Sequence, residues 1–468
     1  MRVRGAPGSP WRTTALHISP QSVTLAAGDV TITAPRARYP NGEVDDSMSF
    51  AALARDARSR GVALEACASC VRFRFSGLSQ QFSGGTEGYC TMVGWRSQRA
   101  VVRIDHYCGE HELVEGWPDD LERAARARLD LSARDPQPSR ANAFAGSILG
   151  LAIGDALGFP TEFRARAQIL GAFGPQGVTD LVSVDDPRWH EARAAAGPRF
   201  PPGTYSDDTQ MTLAVAEALI EAGRADLDTL MRATARRFAE WSTSADNNRA
   251  PGNTCMNGCR NLERGTAWRL AGIRDSKGSG SAMRVGPIGL YYWRDHARLL
   301  EVARASSLLT HGHDAAVESA AAGALLVALA LEKRTPSQML ATVREHCASR
   351  SSDLRSRLDD LERLLTAPPE IALSARGLGE GWVAEEAIVS ALYCLFQNPD
   401  DFEQCVLMAA NTDGDSDTIA CIVGGISGAF HGLSAIPQRW RTRVENAVQL
   451  HETAERFWQA SAGSHDTH

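Results

Sequence analysis

In the stretch GSILGLAIGDALG, glycines 146, 150, 154 and 158 recur every four residues. On a helix that spacing places all four on one face. Glycine weakens a helix interior, so such a row predicts a helix against which another backbone comes very close. One charged residue, Asp155, sits inside the seam. Close packing accounts for the glycines but not for the carboxylate, since burying an unpaired charge is costly.

Two more acidic clusters stand at the start of apolar, small-residue helical stretches. In TYSDDTQMTLAVAEAL, Ser206, Asp207 and Asp208 precede an amphipathic helix. In NTDGDSDTIACIVGGISGAFHG, Asp413, Asp415 and Asp417 fall within five residues. Taken singly, each cluster is satisfied as a helix N-cap with acids favoured by the dipole, Asp415 or Ser416 serving in the second case. Taken together, and with Glu162 seven residues after Asp155, they gather hard oxygen ligands suited to Mg²⁺ or Mn²⁺. A two-cation site sharing carboxylates needs about this many acids.

Around these clusters helix follows helix. DDTQMTLAVAEALIEAG, DLDTLMRATARRFAEW, DAAVESAAAGALLVALALEK, PSQMLATVREHC, VAEEAIVSALYCLF and a long final helix from about Pro437 to Ser461 are expected. A polar, proline-containing joint at Asp135–Arg140 marks the domain boundary. The expected all-α domain spans residues 140–462. Residues 1–125 read differently, as short strands and turns with one helix near Phe50–Arg60, and form an expected small α+β domain. Four cysteines, Cys67, Cys70, Cys90 and Cys108, fall within 42 residues there, in a chain with ten. In a reducing compartment they suit a tetrahedral Zn²⁺ site, with His106 or His111 as a substitute ligand. An iron–sulfur centre or unconnected thiols are the other readings. Cys255 and Cys259 read as structural.

Composition narrows the function classes. With 49 basic against 56 acidic residues the formal charge is −7, which argues against a nucleic-acid binder held by phosphate contacts. The longest apolar run, Ala320–Leu331, is too short to span a bilayer. The first residues lack the apolar core of a secretory signal. A cytoplasmic protein with no membrane association is expected, and a monomer. The segment DSKGSGSAMRVGPIG offers backbone N–H groups and hydroxyls suited to a phosphate, or a plain flexible linker that turns apolar abruptly.

In this order GDALGFPTE, SDDTQM, GSGSAMRVGPIG, LTHGH and GDSDTIACIVGGISGA resemble the motifs of the ADP-ribosylglycohydrolase family, over about Asn142–Trp458. The resemblance implies an all-α fold with two Mg²⁺ or Mn²⁺ ions and cleavage of the bond between ADP-ribose and a protein side chain, often arginine, in some branches serine. It implies metal ligation by Ser206, Asp207 and Asp208 on one side and Asp415, Asp417 and Thr418 on the other. Serine stands at 206 where many members have threonine, and the hydroxyl is kept. Glu162 and Asp208 are the implied proton-handling residues. Asp155, the loop Gly278, Ser279, Gly280 and Ser281, and His311 are implied on the substrate side, the loop at the diphosphate; His311 also reads as a plain structural histidine. The implied partner is an ADP-ribosylated protein. An alternative is an immunity-type protein that blocks an ADP-ribosyltransferase toxin, and a third is a hydrolase of a small ADP-ribosyl conjugate. Asp413 has no assigned role.

Overall fold

The computed structural model describes residues 138–189 and 200–462, together with the backbone of eleven short strands between Arg2 and Arg103. The chain divides into two compact units, Met1–Ala127 and Arg128–His468.

In the first unit the strands are antiparallel throughout, in three three-stranded sheets and one two-stranded sheet. The clearest is the meander Leu16–Ile18, Ser22–Ala27 and Val30–Pro35, whose last two strands pair Ala27 with Val30 across the Gly-Asp step. Phe73–Phe75 realises the alternating run VRFRF. Cys90 ends the strand Glu87–Cys90. The expected helix near residue 50 and Cys67, Cys70 and Cys108 lie outside the described residues, as does any side-chain geometry at Cys90.

The second unit is helical. Its helices are α1 (Arg140–Gly158), α2 (Arg166–Phe173), α3 (Asp207–Ala222), α4 (Leu227–Ser242), α5 (Asn253–Glu263), α6 (Trp268–Ala271), α7 (Gly286–Tyr291), α8 (His296–Leu308), α9 (Asp314–Leu331), α10 (Pro336–Val343), α11 (Ser352–Leu364), α12 (Pro369–Ala372), α13 (Ala384–Gln397), α14 (Phe402–Ala410), α15 (Ser416–His431), α16 (Gln438–Arg441) and α17 (Ala447–Ala462). Among its described residues there is no strand, only three isolated backbone bridges: Arg164–Gly414, Ile273–His311 and Gly278–Val383.

The glycine row does what its spacing predicts. A Cβ at Gly146 would strike the Gly428 carbonyl, at Gly150 that of Gly424, at Gly154 that of Ala420, and at Gly158 the backbone of Asp417. The partner numbers fall as the α1 numbers rise, so α1 and α15 run antiparallel in backbone contact. Every residue of α1 from Ala143 to Gly158 is buried. α9 is the second core helix. Both are long and apolar enough to cross a membrane by length and composition, yet 89% of each such window is buried in the unit, so both pass the test as core helices.

One sequence expectation fails at the C-terminus. The final helix is not continuous: α16 ends at Arg441 and α17 begins at Ala447. The intervening segment docks on the chain ahead of α3. Glu445 donates its N–H to the Gly203 carbonyl and pairs with Arg249, while Asn446, at a left-handed φ of 53°, donates to the Tyr205 hydroxyl at 2.9 Å. Tertiary partners here override helix propensity.

Candidate active site and metal centre

Three helix ends meet at one place. The antiparallel seam brings the N-terminus of α15 beside the C-terminus of α1, and Asp155 of α1 holds the N-terminus of α3. Its Oδ1 accepts from the Ser206 N–H at 2.7 Å, and its Oδ2 from the N–H and hydroxyl of Thr209 at 2.9 and 2.6 Å. Helix N-termini carry unsatisfied N–H groups and favour negative charge. The carboxylate inside the glycine seam thus caps α3 from outside. Asp155 is fully buried and both its oxygens are engaged, so it is a positioning residue and not the substrate-side group expected from the sequence.

The acidic clusters come together. Oxygens of Glu162, Asp415 and Asp417, all three buried, lie within 4.8 Å of one another. Thr161 fixes Glu162 in this group: its hydroxyl donates to the Ala410 carbonyl at 2.6 Å and lies 2.9 Å from the Ser416 hydroxyl. Ser206 caps α3, accepting from the Asp208 N–H at 3.3 Å, and its side chain also bonds Asp417. Asp207 accepts from the Gly252 N–H at 3.4 Å. Asp208 Oδ2 is buried with no hydrogen-bond donor among the described residues. Thr418 bonds Asp415 through its side chain and donates its N–H to Asp417 Oδ1 at 3.0 Å.

Crowding shifts these carboxyls upward. Burial, then the charge of Asp417, takes Asp155 to about 7. Burial takes Asp415 to about 6, against hydrogen bonds that favour its charged form. Asp207 and Asp208 stand well above their ordinary value through burial and the neighbouring aspartates, and Asp417 through burial and Asp415. Desolvation and like charge both disfavour the ionised form; a divalent cation removes both penalties. An all-oxygen donor set, an orphaned buried Asp208 oxygen and mutually repelling carboxyls fit Mg²⁺ or Mn²⁺.

The glycine–serine segment is neither a linker nor an open loop. Ser279–Ser281 form one 3₁₀ turn. The Ser279 hydroxyl donates to Asp415 Oδ2 at 2.8 Å and its N–H to the Trp382 carbonyl at 3.2 Å. The Ser281 hydroxyl donates to the Ala316 carbonyl at 3.2 Å. Both hydroxyls are turned inward, so neither is presented to a phosphate as the sequence reading expected. The glycines are explained by what lies beneath: a Cβ at 278 or 280 would press on the His311 ring, and at 280 also on Cys255. His311 is itself buried, with Nδ1 2.8 Å from the Thr310 hydroxyl. Burial, then the Arg284 charge, lowers it to about 3, so it is a neutral strut under the turn.

Sequence reasoning missed two features. Arg284, fully buried, donates to the Gly280 and Ser306 carbonyls at 3.0 Å each and to the Thr310 hydroxyl at 2.7 Å, tying the turn to the His311 segment. The fully apolar surroundings of a lone arginine in AMRV were the available signal. The second is the aromatic pair Phe163–Trp382, brought together from positions with no sequence relation. Asp413, unassigned in sequence, accepts from the Arg166 N–H at 2.6 Å and so caps α2, outside the cluster. Cys255 and Cys259 are buried free thiols, as expected of structural residues.

The ADP-ribosylglycohydrolase family profile matches residues 136–467. The chain belongs to this family. Among similar proteins, the ADP-ribosylarginine hydrolase Tri1 of Serratia proteamaculans is 26% identical over 67% of this chain and 78% of its own length. The ADP-ribosyl-[dinitrogen reductase] glycohydrolase of Rhodospirillum rubrum is 26% identical over 65% and 90%. A solved ADP-ribosylglycohydrolase-related protein complex superposes with a TM-score of 0.51 at 29% identity, covering 69% of this chain and 99% of its own. In each comparison about two thirds of this chain is covered.

Proposed function

We propose that this glycohydrolase cleaves the glycosidic bond between ADP-ribose and a modified protein side chain, with arginine as the acceptor. The observation that carries the reading is the meeting of Glu162, Asp415 and Asp417 oxygens within 4.8 Å. The names of the Serratia and Rhodospirillum relatives, one an ADP-ribosylarginine hydrolase, support the bond type and the acceptor. Ser206, Asp207, Asp208, Asp415, Asp417 and Thr418 would hold Mg²⁺ or Mn²⁺, which when bound polarises a water and the ribose oxygens.

The chain's own residues do the remainder. Ser279 holds Asp415 in place, Ser206 ties α3 to Asp417, and Asp155 keeps α3 in register. The carboxylates favour the oxocarbenium-like charge that develops on the sugar. Glu162, whose oxygen stands among those of Asp415 and Asp417, or Asp208 would give the leaving group its proton. The turn at Gly278 and Gly280 would receive the diphosphate by backbone N–H groups, its hydroxyls being engaged. The six described cysteines are free and buried, which is consistent with a reducing compartment and with our placing the protein in the cytoplasm.

The test is incubation with arginine- and serine-ADP-ribosylated proteins, with and without Mg²⁺ or Mn²⁺. Metal-dependent release from the arginine substrate is expected, reduced on the order of 100-fold or more in Asp415→Ala. Full activity of that variant, with metal present, would remove the assignment.

A further inference from the structure

We propose that Phe163 and Trp382 form an aromatic platform at the mouth of the carboxylate cluster, and that it binds the planar guanidinium of the acceptor arginine. This rests on the reading of function just given and adds a specificity site to it.

The rings stack at 4.9 Å between centroids with an interplanar angle of 24°. They are 59% and 36% exposed, in a unit that buries almost all its large apolar side chains. Phe163 holds a left-handed φ of 63°, a conformation a bulky residue adopts only when its surroundings impose it. Here they do: the Phe163 N–H donates to the Gly414 carbonyl at 3.0 Å, and the Gly414 N–H returns to the Arg164 carbonyl at 3.3 Å. The strain turns the Phe163 ring toward Trp382.

Every anchor of the pair is a neighbour of the reacting centre. Phe163 follows Glu162 directly. Gly414, which holds it, precedes Asp415. The Trp382 carbonyl accepts from Ser279, whose hydroxyl donates to Asp415. Around the pair lie Glu162, Asp415 and Glu380, whose carbonyl accepts the Asp415 N–H at 2.8 Å. Arg164 lies over the Trp189 ring at 3.8 Å, and Arg166 donates to the Asn411 carbonyl at 3.0 Å. Aromatic faces beside carboxylates suit a delocalised planar cation, which stacks through its face and donates through its edge. They repel a diphosphate, and they offer a serine linkage nothing to stack.

The test uses the full chain carrying Phe163→Leu, Trp382→Leu or both, each exposed enough to leave the fold intact, which thermal melts verify. Steady-state kinetics are measured on an arginine-ADP-ribosylated peptide, and free ADP-ribose binding by calorimetry. KM in the double variant is expected to rise about tenfold with kcat nearly unchanged, the mark of lost uniform binding. ADP-ribose affinity should hold, and Phe163→Tyr with Trp382→Phe should restore KM. An unchanged KM overturns the platform while leaving the function reading intact. A matching loss of ADP-ribose affinity also overturns it, reassigning the rings to the nucleotide. Wild-type enzyme that spares the arginine linkage altogether overturns the function reading, and the platform with it.

Discussion

Asp155 shows how one side chain can organise a site it does not enter. It accepts three hydrogen bonds of 2.6–2.9 Å from the first turn of α3. An amide in its place would turn an NH₂ group toward N–H donors, leaving at least one buried donor unsatisfied. Asp155→Asn is expected to cost about 2 kcal/mol in urea unfolding of the metal-loaded protein. It should also lower hydrolysis, since Asp207 and Asp208 ride on the same turn. A variant as stable as wild type would show that these bonds do not hold α3. Residues of this kind are half legible in sequence. Asp155 was conspicuous as a charge inside a glycine row, but which helix it capped depended on a contact 51 positions away. Arg284 and Trp382 gave less: what they touch is set entirely by the tertiary fold. Ser281 misled, because a hydroxyl in a glycine-rich run looks available until Ala316 is seen behind it.

At the scale of elements, glycine has two opposite meanings in this fold. Gly154 faces the Ala420 carbonyl with no space for a methyl, whereas Gly171 in α2 has nothing within 4 Å of where its Cβ would be. Gly154→Ala is therefore expected to destabilise by at least ~2 kcal/mol through overpacking. Gly171→Ala is expected to stabilise by about 0.5–1 kcal/mol through helix propensity. Paired urea titrations decide it, and effects of the same sign would refute the seam as the source of the difference. Most helices were legible because their apolar periodicity and caps are local. The break between α16 and α17 was not, because it is made by Gly203 and Tyr205 from the other end of the unit.

For the molecule as a whole, the clustered carboxyls would couple the proposed cation binding to stability and pH. Folding takes Asp155 from 3.8 to about 7 and Asp415 from 3.8 to about 6. A carboxyl raised by folding stabilises the fold while protonated. That contribution is complete below the ordinary value and is lost as pH rises through the raised one. These two carboxyls therefore contribute less to the stability of the metal-free protein as pH rises from about 4 to 7, the range in which a bound cation would gain its ligands. The Tm increment on adding Mn²⁺ is expected to grow steadily from about pH 4.5 to about 7.5. His311, held at about 3, acts in the opposite sense, losing stability as pH falls below its ordinary 6.5, but it does so with and without metal. It therefore leaves the increment unchanged. An increment independent of pH would separate the carboxyls from the cation.

The seam between α1 and α15 also sets a timetable. Gly158 and Ser416, which meet across it, are 258 positions apart. At a synthesis rate of roughly 5–20 residues per second, α1 leaves the ribosome some tens of seconds before its partner exists. Throughout that interval α1, long and apolar, lacks the backbone that its glycine face packs against. The newborn chain is thus a natural client for holding chaperones, and the carboxylate cluster is complete only once α15 has been made.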